Sequence, residues 1–282
     1  MRELKNKVAI ITGAAGALGT ALAARFAAEG MRLVLADVDA SALASTEKSL
    51  KACGAQVVSL PVDVSQLHDV KALAELALSA WGAAHVVCNN AGVAPLGPVW
   101  ETSVAEWDWV LGVNLKGVIH GIQVFTPLLL AQNEGHILNT ASVAGLISPP
   151  GMGAYSVSKH AVVALSECLY HDLAQQGSAV RCSVLCPAYF PSGIADSDRN
   201  RPGPAAGDGE KSPVRQTQEA DLRHAVRSGR LSADDIADAG VNAVLEERFW
   251  VLTHPGILGA VRARTEGLLA KKNPVNPFAI KS

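Results

Sequence analysis

Tyr155 and Lys159 stand four residues apart in the run Ala154-Tyr-Ser-Val-Ser-Lys159. Residues four apart share one face of a helix, so this spacing sets a phenol beside an ammonium. A neighbouring cation favours the ionised phenol, which eases giving up and taking back a proton near neutral pH. Such a pair suits the interconversion of an alcohol and a carbonyl. The same spacing also arises by chance as an exposed pair, so its meaning rests on the rest of the chain.

Near the N-terminus, an apolar strand leads into Thr12-Gly-Ala-Ala-Gly-Ala-Leu-Gly19, inside which a helix begins. Glycines at 13, 16 and 19 let the backbone turn tightly and approach a pyrophosphate, and the helix start aims free N–H groups at the anion. Gly13, Ala15, Gly16, Ala17, Leu18 and Gly19 are therefore candidate dinucleotide contacts. A plain tight turn is the alternative reading. Asp37 ends the second strand, about 20 residues on, where an acid accepts bonds from the adenosine ribose hydroxyls and repels a 2′-phosphate. No basic residue lies between Leu33 and Glu47. NAD is expected over NADP, with Asp37 and Val38 at the ribose. Asp39 is the better candidate for capping the helix at 40–52. Asp63, with Val64, either meets the adenine amino group or caps the next helix, a role for which Ser65 is better suited. Asn89-Asn-Ala-Gly92 ends the fourth strand, and its small residues (Asn90, Ala91 and Gly92 as contacts) let a cofactor pass close.

Taken together and in order, these pieces make the chain resemble the short-chain dehydrogenase/reductase family over about residues 5–255. The Gly-rich turn 12–19, Asp37, Asp63, Asn89-Asn-Ala-Gly92, Asn114, Ser142, Tyr155-x-x-x-Lys159 and Pro187 carry the resemblance. It implies Tyr155 as general acid/base on the substrate oxygen and Lys159 on the nicotinamide ribose, lowering the pKa of Tyr155. It implies Ser142 as a hydrogen-bond partner of the carbonyl or alcohol oxygen, and Asn114 as holder of a water that relays protons from Lys159. Pro187 and Ala188 would pack near the nicotinamide, with Ser192 where the family often has a Thr for the carboxamide. Two departures stand out. Ala17 replaces the middle glycine of the common turn, giving the Thr-Gly-x-x-Gly-x-x-Gly spacing of the extended, epimerase-containing branch; its methyl should crowd the pyrophosphate slightly. Ala188 stands where a Gly often follows the Pro.

Positioning such residues requires a particular frame. Apolar, β-branched strands are expected near Val8–Ile11, Arg32–Ala36, Gln56–Pro61, His85–Cys88, His136–Thr140, Arg181–Cys186 and Phe249–Leu252. Helical patterns fill 17–29, 40–52, 66–81, 103–131, 153–176 and 233–246. This alternation predicts an α/β fold: a Rossmann-type, doubly wound parallel sheet of about seven strands with helices on both faces. Residues 1–282 read as one domain. The stretch 195–230, rich in Arg, Asp, Pro and Gly, reads as a substrate lid with a short helix at Thr217–Arg227, its arginines solvated. Residues 253–282 read as a C-terminal helical tail.

Composition narrows the class. With 24 basic and 26 acidic residues, the net charge near −2 favours neither nucleic acid nor an anionic membrane as partner. No uncharged apolar run of bilayer length and no signal-peptide pattern is visible. Five cysteines without a CxxC pair fit a reducing compartment, so a soluble cytoplasmic protein is expected. No metal-ligand spacing appears among the histidines, and His120, His136 and His160 read as structural. Trp107 and Trp109 read as packing residues, with Trp100 as a candidate at the pocket. The pocket should draw on Val93–Gly97, Val143–Met152 and Ala188–Pro191, whose apolar character predicts a hydrophobic or aromatic secondary alcohol or ketone. The resemblance adds a homodimer or homotetramer. A dinucleotide-binding regulator without catalysis, and an epimerase or dehydratase, are the alternative functions.

Overall fold

A computed structural model describes residues 1–202 and 211–279. Among them, seven strands form one parallel sheet in the order β3-β2-β1-β4-β5-β6-β7. These are β1 (Val8–Thr12), β2 (Arg32–Asp37), β3 (Val57–Pro61), β4 (Val86–Asn89), β5 (His136–Thr140), β6 (Arg181–Cys186) and β7 (Trp250–Leu252). Side chains alternate across each strand. Ala9 and Ile11 of β1 therefore pack on one face with Leu22, Phe26, Ile236 and Val241, while Val8 and Ile10 pack on the other with Leu73, Phe125, Leu129 and Leu169. Burial on both faces explains why the strands are apolar almost throughout.

Helices α1 (Ala17–Ala28), α2 (Ala40–Ala52) and α3 (Leu67–Trp81) follow the first three strands. Asp39 caps α2 as expected, its Oδ1 accepting from Ala42 N at 3.0 Å. The start of α3 departs from expectation. Its cap position is Gln66 with no side-chain bond, and Asp63 instead accepts from Ser65 N at 2.9 Å, closing the turn before the helix.

The helix expected over 103–131 is three segments. α4 (Val104–Val110) starts on a capping box between Ser103 and Glu106, then a π-helical turn at Leu111–Lys116 leads into α5 (Gly117–Gln132). By length and composition Val104–Gln132 could cross a membrane, yet it lies on the sheet against β4, β5, α3 and α6. α6 (Gly153–Gln175) follows β5. The stretch expected as a lid supplies a 3₁₀ segment at Ile194–Asn200 and α7 (Pro213–Arg227), longer than the helix expected at 217–227; its part 203–210 lies outside the described residues. α8 (Ala233–Glu246) precedes β7, and α9 (Leu258–Leu269) and a 3₁₀ turn at Pro277–Ala279 make up the tail.

Candidate active site

A cleft of ≈ 780 Å³ opens beyond the carboxyl ends of β1, β4, β5 and β6. The strand order reverses between β1 and β4, the place where open α/β sheets bind ligands. Every candidate catalytic or cofactor-binding residue from 13 to 192 lines this cleft except Asn114, which lies behind its wall.

The glycine turn discriminates among its own members. Gly13 has φ +65°, and a Cβ there would stand 2.8 Å from Ala91 Cα. At Gly19 a Cβ would fall 2.0 Å from Gly13 O, so only glycine lets α1 start this close to the strand. Gly16 is less constrained, since its Cβ would reach Gly13 O at an ordinary 3.4 Å. No side chain caps α1, which leaves its first N–H groups facing the cleft, and the Ala17 methyl is exposed there. Thr12 Oγ1 donates to Cys88 O (3.2 Å) and accepts from Asn90 N (2.9 Å), stitching the ends of β1 and β4 together. Asp37 is fixed as well: Oδ2 accepts from Ala15 N at 2.9 Å and Oδ1 from Asp39 N at 3.1 Å. Each oxygen keeps lone-pair capacity for a further donor. A bare glycine cradle, an uncapped helix start and a held carboxylate fit a dinucleotide.

Deeper in, Ser142 follows β5. Its Oγ accepts from Ala144 N at 3.1 Å and donates to Pro187 O at 3.3 Å. Gly145 lets the next turn approach α6, because a Cβ there would lie 2.6 Å from Lys159 O. Tyr155 and Lys159 share the first turns of α6. Lys159 Nζ donates to Thr140 O at 2.8 Å and lies 5.6 Å from the centre of the Tyr155 ring. Burial pulls Lys159 down to about 8. Burial pushes Tyr155 up to about 12, against the Ser142 hydroxyl, which eases its ionisation. The expected lowering of Tyr155 by Lys159 is thus absent from the protein's own groups: desolvation of the phenol outweighs everything near it.

Asn114 sits on the π-turn and is fully buried. Its Oδ1 accepts from Val93 N (2.8 Å), and its Nδ2 donates to Val93 O (2.9 Å) and Ser158 Oγ (3.0 Å). Ser158 Oγ donates onward to Tyr155 O at 2.7 Å. A Cβ on Gly92 would stand 3.5 Å from Lys159 Nζ and 3.6 Å from Asn114 Oδ1, so the bare glycine keeps space between these groups. The π-turn, the segment after β4 and α6 are tied together directly under the phenol.

The substrate end is apolar. Val93, Ala94, Val143, Ile147, Pro149, Met152 and Phe190 line it, as the expected stretches require. Trp109 lines the cleft, whereas Trp100 is 85 % exposed and does not. Leu222 and Val226 of α7 reach the cleft from the segment read as a lid, though neither was singled out; Gly112, Val113, Lys116, Ile257 and Phe278 are among the cleft residues that the reading of the sequence did not place there. Leu222 and Val226 were detectable as an apolar i, i+4 pair in a polar helix; Phe278 offered no periodic signal. His254 was also missed. Its Nδ1 accepts from Ala188 N at 3.1 Å, bracing the loop that carries Pro187.

Of the arginines in the expected lid, Arg199 and Arg227 are exposed as expected and Arg223 is 42 % exposed, whereas Arg201 and Arg215 are not solvated. Arg215 meets Glu106 at 2.5 Å and Glu219 at 3.3 Å, and Arg201 lies 3.8 Å from Glu106. Burial works to raise Glu106, but its bonds to Arg215 and Ser103 outweigh it and hold the carboxyl below the usual range. Among the described residues no group of three or more His, Cys, Asp or Glu is placed to hold a metal.

The family model for short chain dehydrogenase matches residues 7–202, and the chain belongs to this family. A crystal structure of a short-chain dehydrogenase/reductase from Burkholderia phymatum in complex with NAD superposes with a TM-score of 0.96 at 51 % identity, covering 98 % of this chain and 99 % of that one. A 1-deoxy-11-beta-hydroxypentalenate dehydrogenase of Streptomyces avermitilis is 35 % identical, over 89 % of this chain and 86 % of its own. A metagenomic short-chain oxidoreductase in complex with NADP is 30 % identical with a TM-score of 0.67, covering 88 % and 97 % of the two chains.

Proposed function

We propose that this oxidoreductase uses NAD to interconvert a hydrophobic secondary alcohol and its ketone, with Tyr155 as general acid/base. One observation carries the reading: Tyr155, Ser142 and Lys159 line the floor of the same cleft whose other end is the glycine turn and Asp37. A bound nicotinamide would supply or accept the hydride.

The chain's own residues supply position and a proton. Burial keeps the Tyr155 phenol protonated near pH 7, so in the reducing direction it donates to the carbonyl oxygen. Ser142 turns its O–H from Pro187 O to the same oxygen, stabilising charge that develops there. Lys159, held on Thr140 O, faces the ribose side and returns a proton through the space beside Gly92 and Asn114. Asp37 accepts ribose hydroxyls, and Val38, Asp39 and Ala42 beside it in the cleft offer no cation to a 2′-phosphate, which supports NAD over NADP. The apolar substrate end and the relative named for a hydroxypentalenate support a hydrophobic substrate. The short chain dehydrogenase model over residues 7–202 supports the shorter branch over the extended one.

A homodimer or homotetramer in the cytoplasm completes the reading, supported by Val157 and Tyr170 exposed on α6 and by five free cysteines. The test is Tyr155→Phe. Turnover of secondary alcohols with NAD should be lost while NAD binding persists; a variant that still turns over would sink the assignment.

A further inference from the structure

Tyr189 presents a phenol to the cleft that the proposed chemistry does not use. Among the described residues, the one hydrogen-bond partner of its hydroxyl is Met152 Sδ, at 3.7 Å. A thioether is a weak acceptor, so this O–H keeps nearly all of its donor strength. Its surroundings are otherwise apolar. Tyr189 and Tyr155 both pack against the cluster formed by Leu96, Met152, Leu222 and Val226. Burial pushes the Tyr189 phenol above its ordinary value, which keeps it a neutral donor. A half-buried hydroxyl with so poor a partner carries a desolvation cost that phenylalanine would avoid, and an oxygen arriving with the substrate would remove it.

We propose that Tyr189 is a specificity-determining residue that donates a hydrogen bond to a second oxygen of the substrate, beside the one that reacts at Tyr155. The preferred substrates are then apolar secondary alcohols or ketones carrying a further keto, hydroxyl or ether oxygen. This deepens the proposed oxidoreductase reading and rests on the same cleft. The donor demands an acceptor: an oxygen lone pair satisfies it, and an alkyl group in the same place leaves it unpaired. The acceptor is neutral in this class because the cluster around Tyr189 is apolar.

The experiment compares 1-phenylpropane-1,2-dione with 1-phenylpropan-1-one, which differ by one keto oxygen. Dissociation constants are measured on protein saturated with NAD, a combination of oxidised cofactor and ketone that cannot react. The expected result is a preference for the dione of about tenfold in the unchanged protein, collapsing to near unity in Tyr189→Phe. Met152→Leu, which removes the thioether and leaves the phenol, should keep a preference at least as large. An equal ratio in the unchanged protein and Tyr189→Phe, or no binding of either ketone, overturns the proposal. Turnover of the same two ketones with NADH reads the oxidoreductase assignment separately. Discriminating binding without reduction of either would refute that assignment and leave the role of Tyr189 standing.

Discussion

The guanidinium of Arg215 on α7 meets the carboxylate of Glu106 on α4 at 2.5 Å, with only 13 % and 5 % of the two side chains exposed. This contact fastens α7 to the frame of the cleft, aided by Ser212 Oγ donating to Glu101 at 2.8 Å. Removing Arg215 leaves the buried Glu106 carboxylate only Arg201, 3.8 Å away, as a charge partner among the described residues, and breaking a buried pair costs about 3–5 kcal/mol. Arg215→Met should therefore loosen α7, raising KM more than it lowers kcat and speeding hydrogen exchange across Pro213–Arg227. The double variant with Glu106→Gln should recover most of the protection. Unchanged exchange in Arg215→Met would show that the pair does not hold α7.

Lys159 is destabilising where it stands. Its folded value, about 8, lies below the 10.5 of the free side chain, so the unfolded chain binds the proton more tightly. The penalty is complete below pH 8 and fades as pH rises from 8 to 10.5, where the ammonium deprotonates in both states. A shift of this size corresponds to roughly 3 kcal/mol, of which the lost bond to Thr140 O takes back about 1. Lys159→Met should thus abolish turnover and raise Tm at pH 7 by several degrees, with the gain shrinking by pH 10. Differential scanning calorimetry at the two pH values checks the sign; a Tm lowered at pH 7 contradicts it.

Gly19 and Gly16 should part company under the same substitution. Gly19→Ala drives a methyl into Gly13 O, and overpacking of this kind costs about 1–3 kcal/mol. Denaturant midpoints should fall for Gly19→Ala and stay near the parent for Gly16→Ala. Equal midpoints would mean that α1 shifts freely against the turn.

Cofactor choice should follow Asp37. Each of its oxygens is already held by one backbone N–H, leaving the carboxylate preorganised for ribose hydroxyls. Charged hydrogen bonds of this type are worth about 1.5–3 kcal/mol, so Asp37→Ser should weaken NAD by roughly 10–100-fold while sparing NADP. Isothermal titration with both cofactors measures the ratio, and an unaltered ratio removes Asp37 as its determinant.

Much of this was legible along the chain because a parallel sheet buries both faces of its strands. Val8–Thr12 and His136–Thr140 are buried at every residue, and the apolar, β-branched makeup of the first and the Ile137-Leu138 pair of the second announce them. The glycine turn, Asp37 and the Tyr155–Lys159 pair were legible because each depends on a short local spacing. What depends on distant pairing was not. Arg215 finds Glu106 from 109 residues away, and His254 reaches Ala188 across 66, so Arg215 read as solvated and the histidine went unnoticed. The direction of the Tyr155 shift was hidden for a related reason: it is set by burial, a property of the assembled fold.

The π-turn at Leu111–Lys116 has a bearing on how this helix tolerates change in length. A π-turn holds one more residue than the α-helical turn it replaces. Deleting any single residue within 111–116 would let the helix close into regular pitch. The flanking segments would keep their relative facing, and the residues of the turn itself would lose the displaced positions that the extra residue gives them. Asn114, which lies in the turn, would leave Val93 and Ser158. The site is therefore written in the number of residues between Glu106 and Gly117 as firmly as in their identities, and a length variant here should be more damaging than most point substitutions.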